Sequence, residues 1–356
     1  MNTIATPITA AVVAPIADRR RLADRIYVGA LAVTVALTAL VALSYFTGIG
    51  RRFTGIISFD QQTLRTVFFG AIVLNVGLGF VWLGIKSLLL RYAVGFDREE
   101  RRAAFSSRMD GPFDVAALTA RHSERRIRIV DMIGRRGRFM VLGLMGFFYL
   151  YSRVDSERPG NFATAFLSDN LLDAVLTGWM FVLLYRGNHI LARAVYGPQS
   201  RVMDGMLARA NCLLIITLWG SFKFVLLPIG SQLAALYTPA QFAAIFALIW
   251  GSYMVCDTLA EVGGSLYGTM KIRVRGVGDV NRKSIAGTVT GFVGALLFST
   301  AIVWANALPP SFYGLAVAVA ISNTLLELYS PRGTDDFWMA TGNALICWAF
   351  GLWVLH

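Results

Sequence analysis

The chain has 356 residues, 56% hydrophobic and 15% charged, with 33 Lys and Arg against 21 Asp and Glu for a net charge of +12. Water-soluble domains carry about 25% charge, and a mean hydropathy of +0.59 excludes that class. Apolar runs of bilayer length, roughly 17 to 25 residues, recur without the polar face that a helix of a soluble bundle needs. The sequence reads as an all-α polytopic integral membrane protein.

In chain order, "MNTIATPITAAVVAPIADRRR" puts its apolar stretch ahead of its arginines, the reverse of a secretory signal. Spans are expected over 27–46, 66–90, 139–152, 171–186, 210–228, 240–256, 288–307, 312–328 and 338–355. "RRRLADR" (19–25) precedes the first, and 91–138 contains "DREERR" and "RHSERRIRIVDMIGRRGR". The positive-inside rule assigns both to the cytoplasm, so nine spans leave the amino terminus inside and His356 outside. The outer loops then hold few basic residues, Arg51, Arg52, Arg153 and Arg158.

The only composition shift separates 1–138, a two-span region with an arginine-rich cytoplasmic segment, from 139–356, a second membrane domain. The cytoplasmic charge would attract anionic lipid headgroups. It is spread over loops with no recognition module, so no nucleic-acid partner is expected, and no protein partner is predicted. A bacterial inner membrane is the expected location. Cys212, Cys256 and Cys347 lie in or at the ends of spans as packing residues. His122, His189 and His356 are too scattered for a zinc site. Lys223, inside the fifth span, is expected to snorkel to the far interface, and Asn75 lies inside the second.

The sixth span runs into "CDTLAEVGGSLYG" (256–268). Asp257, Ala260, Glu261, Gly264 and Gly268 follow at helical spacing along one stripe. Small residues serve helix packing, but an acid at a span end needs a partner or a purpose. "KIRVRGVGDVNRKSIAGT" (271–288) then supplies Lys271, Arg273, Arg275, Arg282 and Lys283. Its "GVGDVNRKS" is no P-loop, because Val277 and Arg282 stand where glycines are required. A helix amino terminus near Ser284 and Thr288 would present backbone N–H groups to an anion. In "NTLLELYSPRGTDDFW" (323–338), Asp335 and Asp336 open the ninth span, where acids suit the macrodipole. Glu327 closes the eighth, where they do not. Acids and lysines on one membrane face suit Mg²⁺ held by carboxylates and phosphates, with lysines neutralising phosphate oxygens. The residues therefore point to an enzyme taking a phosphate donor from water and a second substrate from the bilayer.

The stretch "DTLAEVGGSLYG" with Lys271, followed by "KSIAGT", resembles the CTP-binding signature of the dolichol kinase, phytol kinase and CTP-dependent diacylglycerol kinase family. Asp257, Ala260, Gly264, Gly268, Lys271, Lys283, Ser284, Gly287 and Thr288 occupy its positions, and Glu327 and Asp335 those of a second acidic motif. Ala286 leans toward the phytol-kinase branch, while Cys256, Asp336 and Ala340 depart from the common residues. The match covers roughly 250–345, and residues 1–165 resemble no named family.

The resemblance implies transfer of the terminal phosphate of CTP, with Mg²⁺, to the hydroxyl of a lipid alcohol. Asp257 would hold the metal–triphosphate assisted by Glu261, with Asp335 a further candidate metal ligand. Lys271 and Lys283 would clamp phosphate oxygens, and Gly264 and Gly268 would admit the nucleotide to the helix surface. Glu327 or Asp335 would take the hydroxyl proton or hold a second metal. Removal of Asp257 or Lys283 is expected to abolish turnover and spare folding. The alternatives are a phosphatidate cytidylyltransferase, whose P-G-H-G-G signature is absent, and a lipid or small-molecule transporter.

Overall fold

The computed structural model describes residues 16–46, 68, 72–73, 75–106, 115–156, 162–275, 282–331 and 333–354. The expectations on 1–15, on Arg51, Arg52 and Arg158, on most of 66–74 and on the "GVGDVN" loop lie outside them. Twelve α-helices are described: α1 (Ile16–Phe46), α2 (Asn75–Leu89), α3 (Arg98–Ser106), α4 (Val115–Arg121), α5 (Glu124–Ser156), α6 (Phe162–Leu184), α7 (Ile190–Tyr196), α8 (Ala208–Leu236), α9 (Pro239–Tyr267), α10 (Ile285–Ala305), α11 (Ser311–Tyr329) and α12 (Asp335–Val354). A π turn, Leu90–Val94, extends α2, and a 3₁₀ turn, Val202–Leu207, leads into α8.

Among the described residues, seven helical stretches are long and apolar enough to cross a membrane: Asp18–Leu43, Asn75–Val94, Val202–Leu226, Ala240–Tyr267, Ile285–Ala305, Ser311–Tyr329 and Asp335–Val354. The protein is thus an all-α polytopic membrane protein in its architecture, with one small exception. Lys271–Arg273 (β1) pairs antiparallel with Arg282–Ser284 (β2), Ile272 opposite Lys283. Sequence reading gave this segment to a loop, because three-residue strands carry no periodicity to detect.

Helix α9 is the axis of the molecule and the most enclosed of the seven. "TPAQ" starts it as a capping box: Gln241 N–H donates to Thr238 Oγ1 at 3.4 Å, and Thr238 N–H to Gln241 Oε1 at 3.1 Å. Apolar on all sides, it packs against α5, α10, α11 and α12. Its upper core joins Phe242, Phe246, Ile249 and Tyr253 to Leu226 and Phe222 of α8, Phe312 and Leu315 of α11, and Met339 and Ala344 of α12.

Below the acids this core is polar. Asn343 donates to Asn323 Oδ1 at 2.9 Å, and Asn323 donates to Ser252 Oγ at 2.9 Å. Three helices are thereby pinned by side-chain bonds that hydrocarbon cannot replace.

Helices α9 and α10 approach closely because small residues face one another. A Cβ on Gly287 would stand 2.5 Å from the Ala260 carbonyl oxygen, and one on Gly291 2.9 Å from that of Cys256. The turn from α11 to α12 depends on Gly333, whose φ of 90° disfavours any residue with a Cβ. That reversal brings Asp335 back beside Glu327.

Two expectations about charged groups change. The arginine-rich segment is not an open loop: it folds as α3, α4 and the first half of α5, and α5 docks on α2 and α9. Arg138, 1% exposed, donates to the Val195 carbonyl at 3.1 Å and to Asn75 O and Oδ1 at 2.9 and 3.1 Å. Lys86 pairs with Asp131 at 2.9 Å in the same layer. Nor does Lys223 snorkel. It is 1% exposed, donates to Asn170 Oδ1 at 2.9 Å, and its ammonium lies 3.8 Å from the ring centre of Trp250 and 4.1 Å from that of Trp219. Two indole faces and an amide supply what water would have given.

Candidate functional site

One cleft collects the residues singled out in the sequence. Asp257, Ala260, Glu261 and Gly264 of α9, Lys271 of β1, Lys283 and Ser284 of β2, Gly287 and Thr288 of α10, Glu327 of α11 and Asp335 of α12 all line it. The cleft encloses about 120 Å³, room for several waters. Gly268 ends α9 just outside this lining.

Lys283 joins the two motif segments. Its Nζ lies 3.2 Å from Glu327 Oε1 and 3.6 Å from Asp335 Oδ2, close enough to pair charges though not aligned as a hydrogen bond. Burial works against the ammonium, but Asp335 and Glu327 outweigh it and hold Lys283 above its ordinary range. Helix geometry explains the placement: Glu327 closes α11 and Asp335 opens α12, while β2 carries Lys283 between them.

The acids of α9 are engaged by arginines that the motifs do not contain. Arg136 grips Asp257 with both terminal nitrogens, Nη2 to Oδ1 at 2.6 Å and Nη1 to Oδ2, and its Nε reaches Glu261 Oε2. Arg135 Nη1 is 2.9 Å and Arg201 Nη2 3.2 Å from Glu261 Oε1. Three guanidiniums converge on two carboxylates. Burial opposes all three charges. Asp257 and Glu261 still hold Arg136 above its ordinary range, whereas burial, then the charge of Arg201, lowers Arg135. These partners are remote along the chain, Arg135 and Arg136 by more than 120 positions, and the charge run of 124–138 signals those two but not Arg201.

The glycine stripe turns out to be shared. Ser284 fills the space before Gly264 and Gly268: an added Cβ would meet its Oγ at 2.8 Å in either case. These glycines therefore admit a capping serine, with Gly264 still forming part of the cleft wall. Ser284 is the N-cap of α10 and accepts from Gly287 N–H at 3.1 Å. One of the N–H groups expected to face an anion is thus already bonded.

Among the described residues, no three His, Cys, Asp or Glu side chains stand together as a metal-binding group. Glu261 does not fit a metal ligand, since three guanidiniums occupy its oxygens. Nor does Asp257, whose two oxygens Arg136 grips; Asp335, 3.6 Å from Lys283, fits better. Beside them Asp336, read from sequence as a helix cap, has a buried Oδ1 without a hydrogen-bond partner. Mg²⁺ needs only one or two carboxylates when phosphates complete its shell.

The unspent valence of the cleft is cationic. Lys271 and Arg282 make no ion pair among the described residues, and burial, then the charge of Arg128, holds Lys271 below its ordinary range. No family model matches the chain, and no curated protein and no solved structure is significantly similar to it.

Proposed function

We propose that this protein is a membrane-embedded kinase transferring the terminal phosphate of CTP to the hydroxyl of a lipid alcohol, such as phytol, another isoprenoid, a polyprenol or diacylglycerol. The observation that carries the reading is the contact of Lys283 with both Glu327 and Asp335. It draws two sequence-distant motifs into one cleft whose remaining donors favour a polyanion.

In this reading the nine expected spans cross a bacterial inner membrane with the amino terminus and the cleft on the cytoplasmic side. Support comes from the aromatic residues. Tyr267 and Tyr329 are strongly exposed at the cleft end of their helices, and Trp304 and Trp353 at the opposite end, as interfacial belts require. Helix α10 between these levels has 21 residues and is about 31 Å long, against a hydrocarbon core of about 30 Å. The cleft then opens at the headgroup level, where a lipid hydroxyl and an aqueous nucleotide can meet.

The chemistry follows from position and charge. The alcohol oxygen forms a bond to the terminal phosphorus as the bond to the bridging oxygen breaks, and CDP leaves. Glu327, at a helix carboxyl end where its negative charge is disfavoured, takes the hydroxyl proton. Lys283 and Lys271 neutralise phosphate oxygens. Asp335 and Asp336 would hold Mg²⁺, which when bound would neutralise phosphate charge, while Asp257 is engaged by Arg136. Glu261 acts through the arginines it orients.

Equilibrium binding tests the reading: the protein in lipid nanodiscs should bind CTP only with Mg²⁺ present, and K283Q should abolish transfer. No Mg²⁺-dependent affinity for CTP would overturn it and favour transport. That second reading draws on the buried Lys223, since intramembrane ionisable groups mark transport paths.

A further inference from the structure

The arginine-rich region has no counterpart in the motifs, yet its Arg128 reaches the cleft, joined there by Arg201 from beyond that region. Arg128 of α5 and Arg201, just before the 3₁₀ turn, line it together with Lys271 and Arg282. Each has a buried Nε without a hydrogen-bond partner. Arg128 spends one terminal nitrogen on Glu124, one turn back on its own helix. Arg201 makes the loosest of the three contacts to Glu261, which Arg135 and Arg136 already neutralise.

We propose that Arg128 and Arg201 bind the phosphates of the incoming nucleoside triphosphate, making the amino-terminal half of α5 the third wall of the site. The inference rests on the kinase reading for the identity of the anion. The charges of Arg128 and Arg282 act against that of Lys271 across the cleft, with Glu124 opposing them, and a triphosphate would relieve the repulsion that is left. A guanidinium suits the task because its planar fork matches phosphate oxygens in pairs. Arg201 can shift from Glu261 to a phosphate without stranding the carboxylate, since Arg135 and Arg136 remain. Glu261 thus keeps Arg201, and Glu124 keeps Arg128, in place until the anion arrives.

The test uses full-length protein in nanodiscs, with Mg²⁺–CTP and inorganic tripolyphosphate as separate probes. R128Q and R201Q should each weaken binding of both probes about tenfold or more, the loss expected for a charged hydrogen bond. R201K should retain part of the affinity, and R126Q, on the exposed face of α5, should bind like wild type. Unliganded thermal melts of all four variants separate lost binding from lost folding. If R128Q and R201Q melt normally and bind both probes within twofold of wild type, the proposal fails while the kinase reading stands. If wild type ignores CTP but binds tripolyphosphate, and the two variants do not, the kinase reading fails while the anion site stands.

Discussion

Arg136 of α5 and Asp257 of α9 form a two-pronged ion pair, with Nη2 2.6 Å from Oδ1. The pair joins the arginine-rich half of the chain to the helix bearing the carboxylates. Both side chains are about nine-tenths buried or more. Breaking such a pair from one side leaves an uncompensated buried charge, at a cost of about 3 to 5 kcal/mol. R136M should therefore lower the unfolding midpoint strongly, and R136M combined with D257N should recover part of the loss, since Glu261 keeps Arg135 and Arg201. An R136M melt equal to wild type would contradict the docked arrangement. The same pair corrects the expectation that Asp257 can be removed without touching the fold: D257A strands Arg136 and should lower stability as well as activity.

Lys283 should behave differently. Its pKa is held above the ordinary 10.5 by Asp335 and Glu327 despite burial. A raised pKa stabilises the fold fully below 10.5 and ceases to do so as pH rises through the folded value. Wild type should thus lose stability in the alkaline range as Lys283 deprotonates, and K283M should show a flatter melting profile there. Identical alkaline profiles for the two proteins would contradict the pairing.

The tight crossing of α9 and α10 predicts intolerance at Gly287. Its Cβ would press on the backbone carbonyl of Ala260, which cannot swing aside as a side chain can. G287A should cost about 1 to 3 kcal/mol, as overpacking does, measured as a fall in the unfolding midpoint. A neutral G287A would show that the helices can separate at this level.

Lys223 is assigned to the fold and not to the cleft. K223A would leave Asp173 and Asn170 of α6 without their cation, so it should destabilise the protein while leaving Mg²⁺–CTP affinity unchanged. Loss of that affinity without loss of stability would remove the assignment.

The legible parts of the fold were those carried by local pattern. Apolar runs located α8 to α12 to within a few residues at most ends, and helical spacing gave one continuous stripe from Asp257 to Gly264. The alternating direction of successive spans brings Asp257, Lys283, Glu327 and Asp335 to one end of the bundle, where one cleft collects them. What local pattern does not encode is which long-range partner neutralises each charge. Arg136 and Asp257 are 121 positions apart. A run such as "RRGR" looks the same whether it meets lipid headgroups or buried acids. Lys223 misled for a related reason: flanking sequence favours snorkelling, and only the packed rings of Trp219 and Trp250 supply the alternative.

The most direct test of the kinase account is product analysis with purified wild-type protein, Mg²⁺ and a panel of lipid alcohols. One CTP preparation is labelled in the terminal phosphate and another in the cytidine. The account predicts terminal-phosphate label in the lipid fraction, CDP in the aqueous fraction, and neither from K283Q. Cytidine label in the lipid, or no label with any alcohol despite a folded protein, would contradict it.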